Sequence, residues 1–225
     1  MRRSRFLAAL ILLTLAALGA AARAAPAAYV ALGDSYSSGG AGSYSSGDCR
    51  STKAYPALWA AAHASSFSFA CSGARTYDVL AQLLNSTLVS ITIGGNDAGF
   101  ADMTTCVLSD SACLRIAAKY ITLPARLDSV YSAITRAPAR VVVLGYPRIY
   151  SGLGLSTKRA AINDAADLNS VIAKRAADHG FTFGDVTFGH ELCSAPWLHS
   201  LTLPVSYHPT AGHAAGYLPV LNSIT

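Results

Sequence analysis

Three side chains of complementary chemistry follow one another in a chain of 225 residues: Ser35, Asn96 and His208. Ser35 lies in a Gly-Asp-Ser-Tyr tetrad, Asn96 lies in Gly-Gly-Asn-Asp, and His208 precedes a proline near the C-terminus. A serine hydroxyl can act as a nucleophile, an imidazole as its base, and an amide N–H as a donor to a developing oxyanion. These are the groups that acyl transfer requires.

Each of these residues also has an ordinary structural interpretation. Taken alone, Ser35 would more often be a helix cap, Asn96 a turn residue with positive φ, and His208 a loop histidine. The ordered set, with Gly73 in Ala-Cys-Ser-Gly-Ala between the first two motifs, favours the functional interpretation.

Short apolar runs precede Ser35 and Asn96, and similar runs recur along the chain. We predict strands at 28–32, 67–70, 88–93, 140–145 and 181–186, and helices at 54–62, 76–84, 124–136 and 157–179, with a last helix starting near Thr210. This alternation predicts a parallel α/β sheet covered on both faces. Ligands bind beyond the carboxyl ends of such strands, so Ser35 and Asn96 should share one rim. Residues 37–47, almost entirely Ser, Gly and Tyr, predict a surface loop beside it.

These motifs resemble those of the SGNH (GDSL-type) hydrolases, and in particular the secreted actinobacterial-type esterases and lipases. The resemblance covers most of the chain after residue 24. It implies a flavodoxin-like, three-layer α/β/α sandwich with a five-stranded parallel sheet, and ester hydrolysis without a cofactor. It implies Ser35 as nucleophile, His208 as general base, and an oxyanion hole built from the backbone N–H groups of Ser35 and Gly73 and the Asn96 amide.

One position departs from the family pattern. The aspartate usually found three residues before the histidine is replaced by Val205. Some secreted members of the family use a Ser-His dyad, in which a backbone carbonyl accepts the Nδ1–H of the histidine. The resemblance therefore implies the carbonyl of Val205 or Ser206 in this role, and we favour a dyad over a remote third carboxylate. Asp34 and Asp97 are expected to tie down loops through backbone N–H groups.

The first 24 residues have the pattern of a secretory signal peptide. Arginines at positions 2, 3 and 5 precede an apolar run, and Ala-Arg-Ala at 22–24 supplies small residues at the cleavage site. The apolar run is shorter than the ~20 residues needed to span a bilayer. We therefore predict a signal peptide at 1–24, a single catalytic domain at 25–225 and an extracellular enzyme without a stable membrane span.

Cleavage there would remove four arginines and take the formal charge from +5 to 5 − 4 = +1. No basic stripe is left, so nucleic acid is not an expected partner. The histidines 190, 199, 208 and 213 lack the i, i+4 spacing of a metal pair beside a glutamate, so no metal site is predicted. We expect a monomer that acts on a small-molecule or lipid ester.

All five cysteines lie after residue 24, where an oxidising compartment favours disulfides. Sequence proximity and the family resemblance favour Cys49–Cys71 and Cys106–Cys113. These two pairs leave Cys193 over. It would be either buried and inert or exposed and able to link two copies of the chain.

Two alternatives to an esterase or lipase stay open. A carbohydrate O-deacetylase would use the same chemistry on a shallower cleft, because fold and catalytic residues do not set the substrate. The missing aspartate also allows a non-catalytic binding domain, although four intact site residues argue against one. Aromatic residues could line an acyl groove and so favour lipid or aryl esters: Tyr36, Tyr44, Phe100, Tyr146, Trp197 and Tyr207.

Overall fold

A computed structural model of the chain describes ten segments of it. They are residues 28–39, 49–63, 66–68, 70–79, 86–99, 110–136, 138–147, 165–186, 208–210 and 213–225. The predicted signal peptide lies outside these segments.

The centre of the fold is a five-stranded, all-parallel sheet. Its strands are β1 (Tyr29–Gly33), β2 (Ser66–Ser68), β3 (Leu88–Thr92), β4 (Arg140–Leu144) and β5 (Thr182–Gly184). Their order in space is β2-β1-β3-β4-β5. Every residue of β1 and β3 is buried, as expected for strands covered on both faces. The strand order matches the flavodoxin-like fold, whose ligand crevice lies where the order reverses, between β1 and β3.

Helices connect the strands and cover the sheet. They are α1 (Ser35–Ser38), α2 (Tyr55–His63), α3 (Thr76–Val79), α4 (Gly95–Ala98), α5 (Asp110–Ile134), α6 (Ala165–Asp178) and α7 (Leu218–Ile224), the last preceded by a π-helical turn (His213–Tyr217). Helices α5 and α6 pack on each other, and α2 packs on α7 and the π turn. With the sheet between them they form the predicted three-layer α/β/α sandwich. None of the helices within the described segments is both long and apolar enough to cross a membrane.

Two predicted elements differ from the structure. Helix α5 begins at Asp110, well before the predicted start at Pro124, and continues through that proline. Proline cannot donate the usual backbone hydrogen bond and disfavours a helix interior. Buried Ile116, Leu123 and Leu127 compensate by packing this helix into the core. The predicted surface loop also begins too early, because Ser37 and Ser38 belong to α1 and are buried.

Candidate active site

The end of β1 delivers Ser35 to the rim through a tight turn. Gly33 has φ +124°, and a Cβ there would lie 2.2 Å from the Thr92 carbonyl oxygen, so only glycine fits. The Asp34 N–H then donates to the same carbonyl at 3.0 Å, which joins the ends of β1 and β3. Asp34 caps α1 by accepting from the Tyr36 N–H at 3.0 Å. This backbone contact is the loop-tying role expected for Asp34, and it places Ser35 in the first turn of the helix.

Ser35 and His208 meet although they are 173 positions apart in sequence. The His208 Nε2 lies 2.8 Å from the Ser35 Oγ, within hydrogen-bond distance. Ser35 is only 6% exposed and His208 is partly buried, so the pair is largely shielded from bulk water. The Tyr36 ring lies 5.5 Å from the imidazole, centroid to centroid. A hydroxyl and an imidazole in this contact have the geometry that a nucleophile and its base require.

Asn96 lies at the end of β3, on the other side of the β1/β3 crevice. It is in α4, and its Nδ2 donates to the Ala74 carbonyl oxygen at 2.9 Å. An amide nitrogen carries two N–H donors, so this bond orients the group and leaves a second donor. Asn96 is partly buried, and the arrangement suits a fixed donor beside the crevice.

Gly73 lies in the loop that accepts this hydrogen bond. The Ala74 N–H donates to the Cys71 carbonyl at 3.1 Å, closing a turn in which Gly73 has φ +81°. The Cys71 N–H donates to the Gly33 carbonyl at 3.0 Å, which ties the turn to the end of β1. The predicted disulfide between Cys49 and Cys71 is present and restrains the same loop. Gly73 is exposed, and its turn lies next to the segment that carries Ser35.

Asp97 holds two loops of the rim together. Its carboxylate accepts from the Thr76 N–H at 3.0 Å and the Thr76 hydroxyl at 2.8 Å, and it pairs with the Arg126 guanidinium at 3.2 Å. The Asp97 side chain is fully buried, whereas that of Arg126 is 46% exposed. Asp97 therefore ties a backbone N–H, as predicted, and in addition connects α4 to α5.

A buried phenol connects the two halves of the site. The Tyr146 hydroxyl donates to Asp34 Oδ2 at 2.5 Å and accepts from the Gly95 N–H at 2.9 Å. Burial raises the pKa of the Asp34 carboxyl to about 7, against the hydrogen bonds from Tyr146 and Tyr36, which lower it. A Cβ on Gly95 would lie 2.8 Å from the Tyr146 ring, so the close approach requires glycine.

Tyr146 is itself fixed by the neighbouring helix. Its N–H donates to Asn169 Oδ1, and the Asn169 Nδ2 donates back to its carbonyl oxygen, both at 2.7 Å. Tyr217, whose hydroxyl donates to the Gly145 carbonyl at 2.8 Å, supports the same stretch of backbone. Tyr146 and Tyr36 are both buried, and the interpretation of these two as groove-lining aromatics stays a prediction.

A second group of polar contacts involves α1, the helix that carries Ser35. The Ser37 hydroxyl contacts the Tyr55 hydroxyl at 2.9 Å and accepts from the Thr92 N–H at 3.2 Å. The Tyr55 hydroxyl also lies 3.2 Å from the Thr92 hydroxyl. These bonds attach α1, which carries Ser35, to β3 and α2.

Several predicted residues lie outside the described segments. Val205 and Ser206 do, as do Cys106, Cys193 and the remaining predicted aromatics, while only the backbone of Cys113 is described. Within the described segments, no group of three or more His, Cys, Asp or Glu side chains could hold a metal ion.

The polar roles of Tyr146, Ser37 and Tyr55 were not predicted from the sequence. A usable signal existed for Tyr146, because it follows the predicted strand beside the one that delivers Asn96. Residues just past adjacent parallel strands share a rim, so this position could have been added to the site. No comparable pattern marks Ser37 or Tyr55.

Comparison with known proteins agrees with this architecture. The model of the GDSL-like lipase/acylhydrolase family matches residues 31–215. The chain is 63% identical to "Lipase 1" of Streptomyces coelicolor over 99% of both proteins. It is similar to the crystal structure of an extracellular lipase from Streptomyces rimosus, with 64% identity, a TM-score of 0.77, and coverage of 88% of this chain and 100% of that one.

A further similar structure is phospholipase A1 from Streptomyces albidoflavus NA297. It is 56% identical, with a TM-score of 0.78 and coverage of 89% of this chain and 100% of that one. The family model spans far more than half of the chain, and the Ser35–His208 contact lies within it. The chain is an ester hydrolase and belongs to the GDSL-like lipase/acylhydrolase family.

Proposed function

We propose that this enzyme hydrolyses fatty acyl esters of glycerol, phospholipids included, through an acyl-enzyme on Ser35. The observation that carries the proposal is the 2.8 Å contact between Ser35 Oγ and His208 Nε2 at the β1/β3 crevice. The extracellular lipase and the phospholipase A1 among the similar structures support the acyl-ester substrate class.

In the first half-reaction, the His208 Nε2 accepts the Ser35 hydroxyl proton while Oγ attacks the ester carbonyl carbon. Negative charge develops on the carbonyl oxygen, where we place the N–H groups of Ser35 and Gly73 and the free donor of Asn96. Collapse of the tetrahedral intermediate breaks the bond to the alcohol oxygen, which takes its proton from His208. Water, deprotonated by His208, then releases the fatty acid and restores Ser35.

We also propose that His208 works in a dyad, with the Val205 or Ser206 carbonyl accepting its Nδ1–H. Support comes from the carboxylates of the two sequence motifs, which have other partners: Asp34 accepts from Tyr146 and Tyr36, and Asp97 from Thr76 and Arg126. A neutral carbonyl can select the tautomer, although it stabilises the imidazolium less than a carboxylate does. If a carbonyl already orients the ring, Val205→Asp should leave kcat unchanged or lower it, and a large gain in kcat would contradict the dyad.

Hydrolysis of p-nitrophenyl esters from acetyl to palmitoyl tests the proposed activity. Ser35→Ala should abolish hydrolysis of every ester. Ser38→Ala is the matched control, because it removes a buried hydroxyl from the same helix that makes no hydrogen bond within the described segments. Rates that rise towards medium or long chains, and depend on Ser35, are expected. Activity confined to acetyl esters would favour a deacetylase, and activity independent of Ser35 would refute the mechanism.

We also propose that residues 1–24 act as a signal peptide. The domain at 25–225 is then extracellular, and it is a monomer. The extracellular lipase similar to this chain supports secretion. N-terminal sequencing of the protein in the medium should begin at Ala25, and light scattering should give the mass of one copy. A start at Met1 or a dimer mass would contradict these proposals.

A further inference from the structure

A pocket of about 440 Å³ opens beside the Asn96 edge of the site. One wall consists of the consecutive residues Arg75, Thr76 and Tyr77, at the start of α3. The other wall consists of Arg126 and Ser129, which are three residues apart on α5 and therefore on one face of it. Among the residues that the structure describes, the lining thus combines two guanidinium groups with three hydroxyl groups and no acidic side chain.

The two arginines leave donors available to a ligand. Arg75 is exposed, and within the described segments no carboxylate pairs with its guanidinium; the nearby Asp78 accepts instead from its backbone N–H at 2.8 Å. Arg126 has one contact with the buried Asp97 carboxylate, at 3.2 Å, and is 46% exposed. A guanidinium carries five N–H donors, so most of those on Arg126 are not used by Asp97.

The pocket is connected to the proposed oxyanion hole through two short links. The Ala74 carbonyl, which orients the Asn96 amide, immediately precedes Arg75 in sequence. Asp97 follows Asn96 and binds both Thr76 and Arg126, one residue from each wall. Arg75, which lines the pocket, is therefore one Cα–Cα step, ~3.8 Å, along the chain from the residue whose carbonyl holds the proposed donor.

We propose that this Arg75/Arg126 pocket binds the phosphate of a glycerophospholipid whose acyl ester is at Ser35. A guanidinium group binds phosphate oxygens through two parallel N–H donors, and a neutral headgroup offers no anionic oxygens for this contact. Tyr77 is 63% exposed at the mouth of the pocket, where an aromatic ring with a polar tip suits a lipid–water boundary. This inference rests on the proposed acyl-ester hydrolysis and adds a binding site for the phosphate of a phospholipid substrate.

The test compares two substrates that differ only in the headgroup. Lysophosphatidylcholine and a monoacylglycerol with the same acyl chain are presented in nonionic detergent micelles. Arg75→Gln should lower kcat/KM for lysophosphatidylcholine about fivefold, equivalent to ~1 kcal/mol, and leave the monoacylglycerol rate unchanged. Arg75→Lys keeps the charge and loses the bidentate fork. Its kcat/KM for lysophosphatidylcholine should lie between that of the parent protein and that of Arg75→Gln.

The matched control is Arg136→Gln, an exposed arginine just beyond the C-terminal end of α5. It removes the same charge from the surface and should not change the ratio of the two rates. Thermal unfolding of each variant shows that it is folded. Equal losses on both substrates with Arg75→Gln, or no loss on either, would overturn the assignment.

Inorganic phosphate separates a lipid headgroup from a free anion. For a phospholipid site, phosphate should inhibit lysophosphatidylcholine hydrolysis weakly and competitively, and inhibition should vanish in Arg75→Gln. Equal inhibition of both substrates, with an unchanged rate ratio in Arg75→Gln, would identify a free-phosphate site and refute the headgroup assignment. Failure of the underlying function is seen separately, as hydrolysis of both substrates that survives Ser35→Ala.

Discussion

The Tyr146 hydroxyl provides a quantitative test of how the site is assembled. It is fully buried, donates to Asp34 Oδ2 at 2.5 Å and accepts from the Gly95 N–H at 2.9 Å. Tyr146→Phe leaves both groups buried without this partner. Each unsatisfied buried group costs ~1–3 kcal/mol, and more if it is charged. We expect the free energy of unfolding to fall by about 4 kcal/mol at pH 9, where Asp34 is ionised.

This loss should depend on pH because Asp34 titrates. Its pKa is raised from 3.8 to about 7 in the folded protein, so the fold loses stability as pH rises between these two values. The Tyr146 hydrogen bond lowers that pKa, and without it the pKa rises further. The variant therefore continues to lose stability above pH 7, where the parent protein levels off. At pH 5 Asp34 is mostly protonated in both proteins, and the loss should shrink to about 2 kcal/mol.

Urea denaturation of the parent protein and the variant at pH 5 and pH 9 measures the loss in free energy of unfolding at each pH. The matched control is Tyr217→Phe, which removes another buried hydroxyl, one that donates to the neutral Gly145 carbonyl. Burial raises the pKa of both phenols well above the usual range, so neither titrates by pH 9. The control should cost ~1 kcal/mol at both pH values. Equal losses at the two pH values for Tyr146→Phe would refute the assignment of a charged Asp34 to this contact.

Three further perturbations test other parts of the site. Gly95→Ala should destabilise the fold by about 2 kcal/mol and lower kcat, because its Cβ would lie 2.8 Å from the Tyr146 ring. Replacing Cys49 and Cys71 by alanine should cost about 3 kcal/mol, since the disulfide closes a loop between residues 22 positions apart. Asn96→Ala should lower kcat by ~10²–10³ with little change in KM, because the proposed oxyanion donor acts mainly in the transition state.

Each of these three predictions would be contradicted by a specific outcome. A fully active and stable Gly95→Ala enzyme would mean that Tyr146 can move without consequence. Equal unfolding midpoints with and without reducing agent would refute the stabilising role of the disulfide. If Asn96→Ala changes only KM, the amide binds the ground state and the proposed oxyanion role is wrong.

Much of the fold could be predicted from local pattern. Apolar runs indicated all five strands to within a few residues. The physical reason is clearest for β1, β3 and β4, which lie inside the sheet and are buried on both faces. The start of α5 could not be predicted in this way. Pro124 indicates a helix start by local preference, whereas burial of Ile116 and Leu123 outweighs that preference in the folded protein.

The sequence alone determined which residue types are available for chemistry and which rim of the sheet they reach. Ser35 and Asn96 follow apolar strands, and parallel strands end on the same side. The disulfide between Cys49 and Cys71 was also expected, from sequence proximity together with the family resemblance, and the structure confirms it.

Only the tertiary structure decided which of these groups touch and how they are charged. His208 meets Ser35 across 173 positions, and Tyr146 meets Asp34 across 112. Distant pairs of this kind depend on the packing of whole helices against the sheet, which no local pattern encodes. The pKa of Asp34 depends on the same packing, because the cost of ionising a carboxyl is set by the surroundings that exclude water from it.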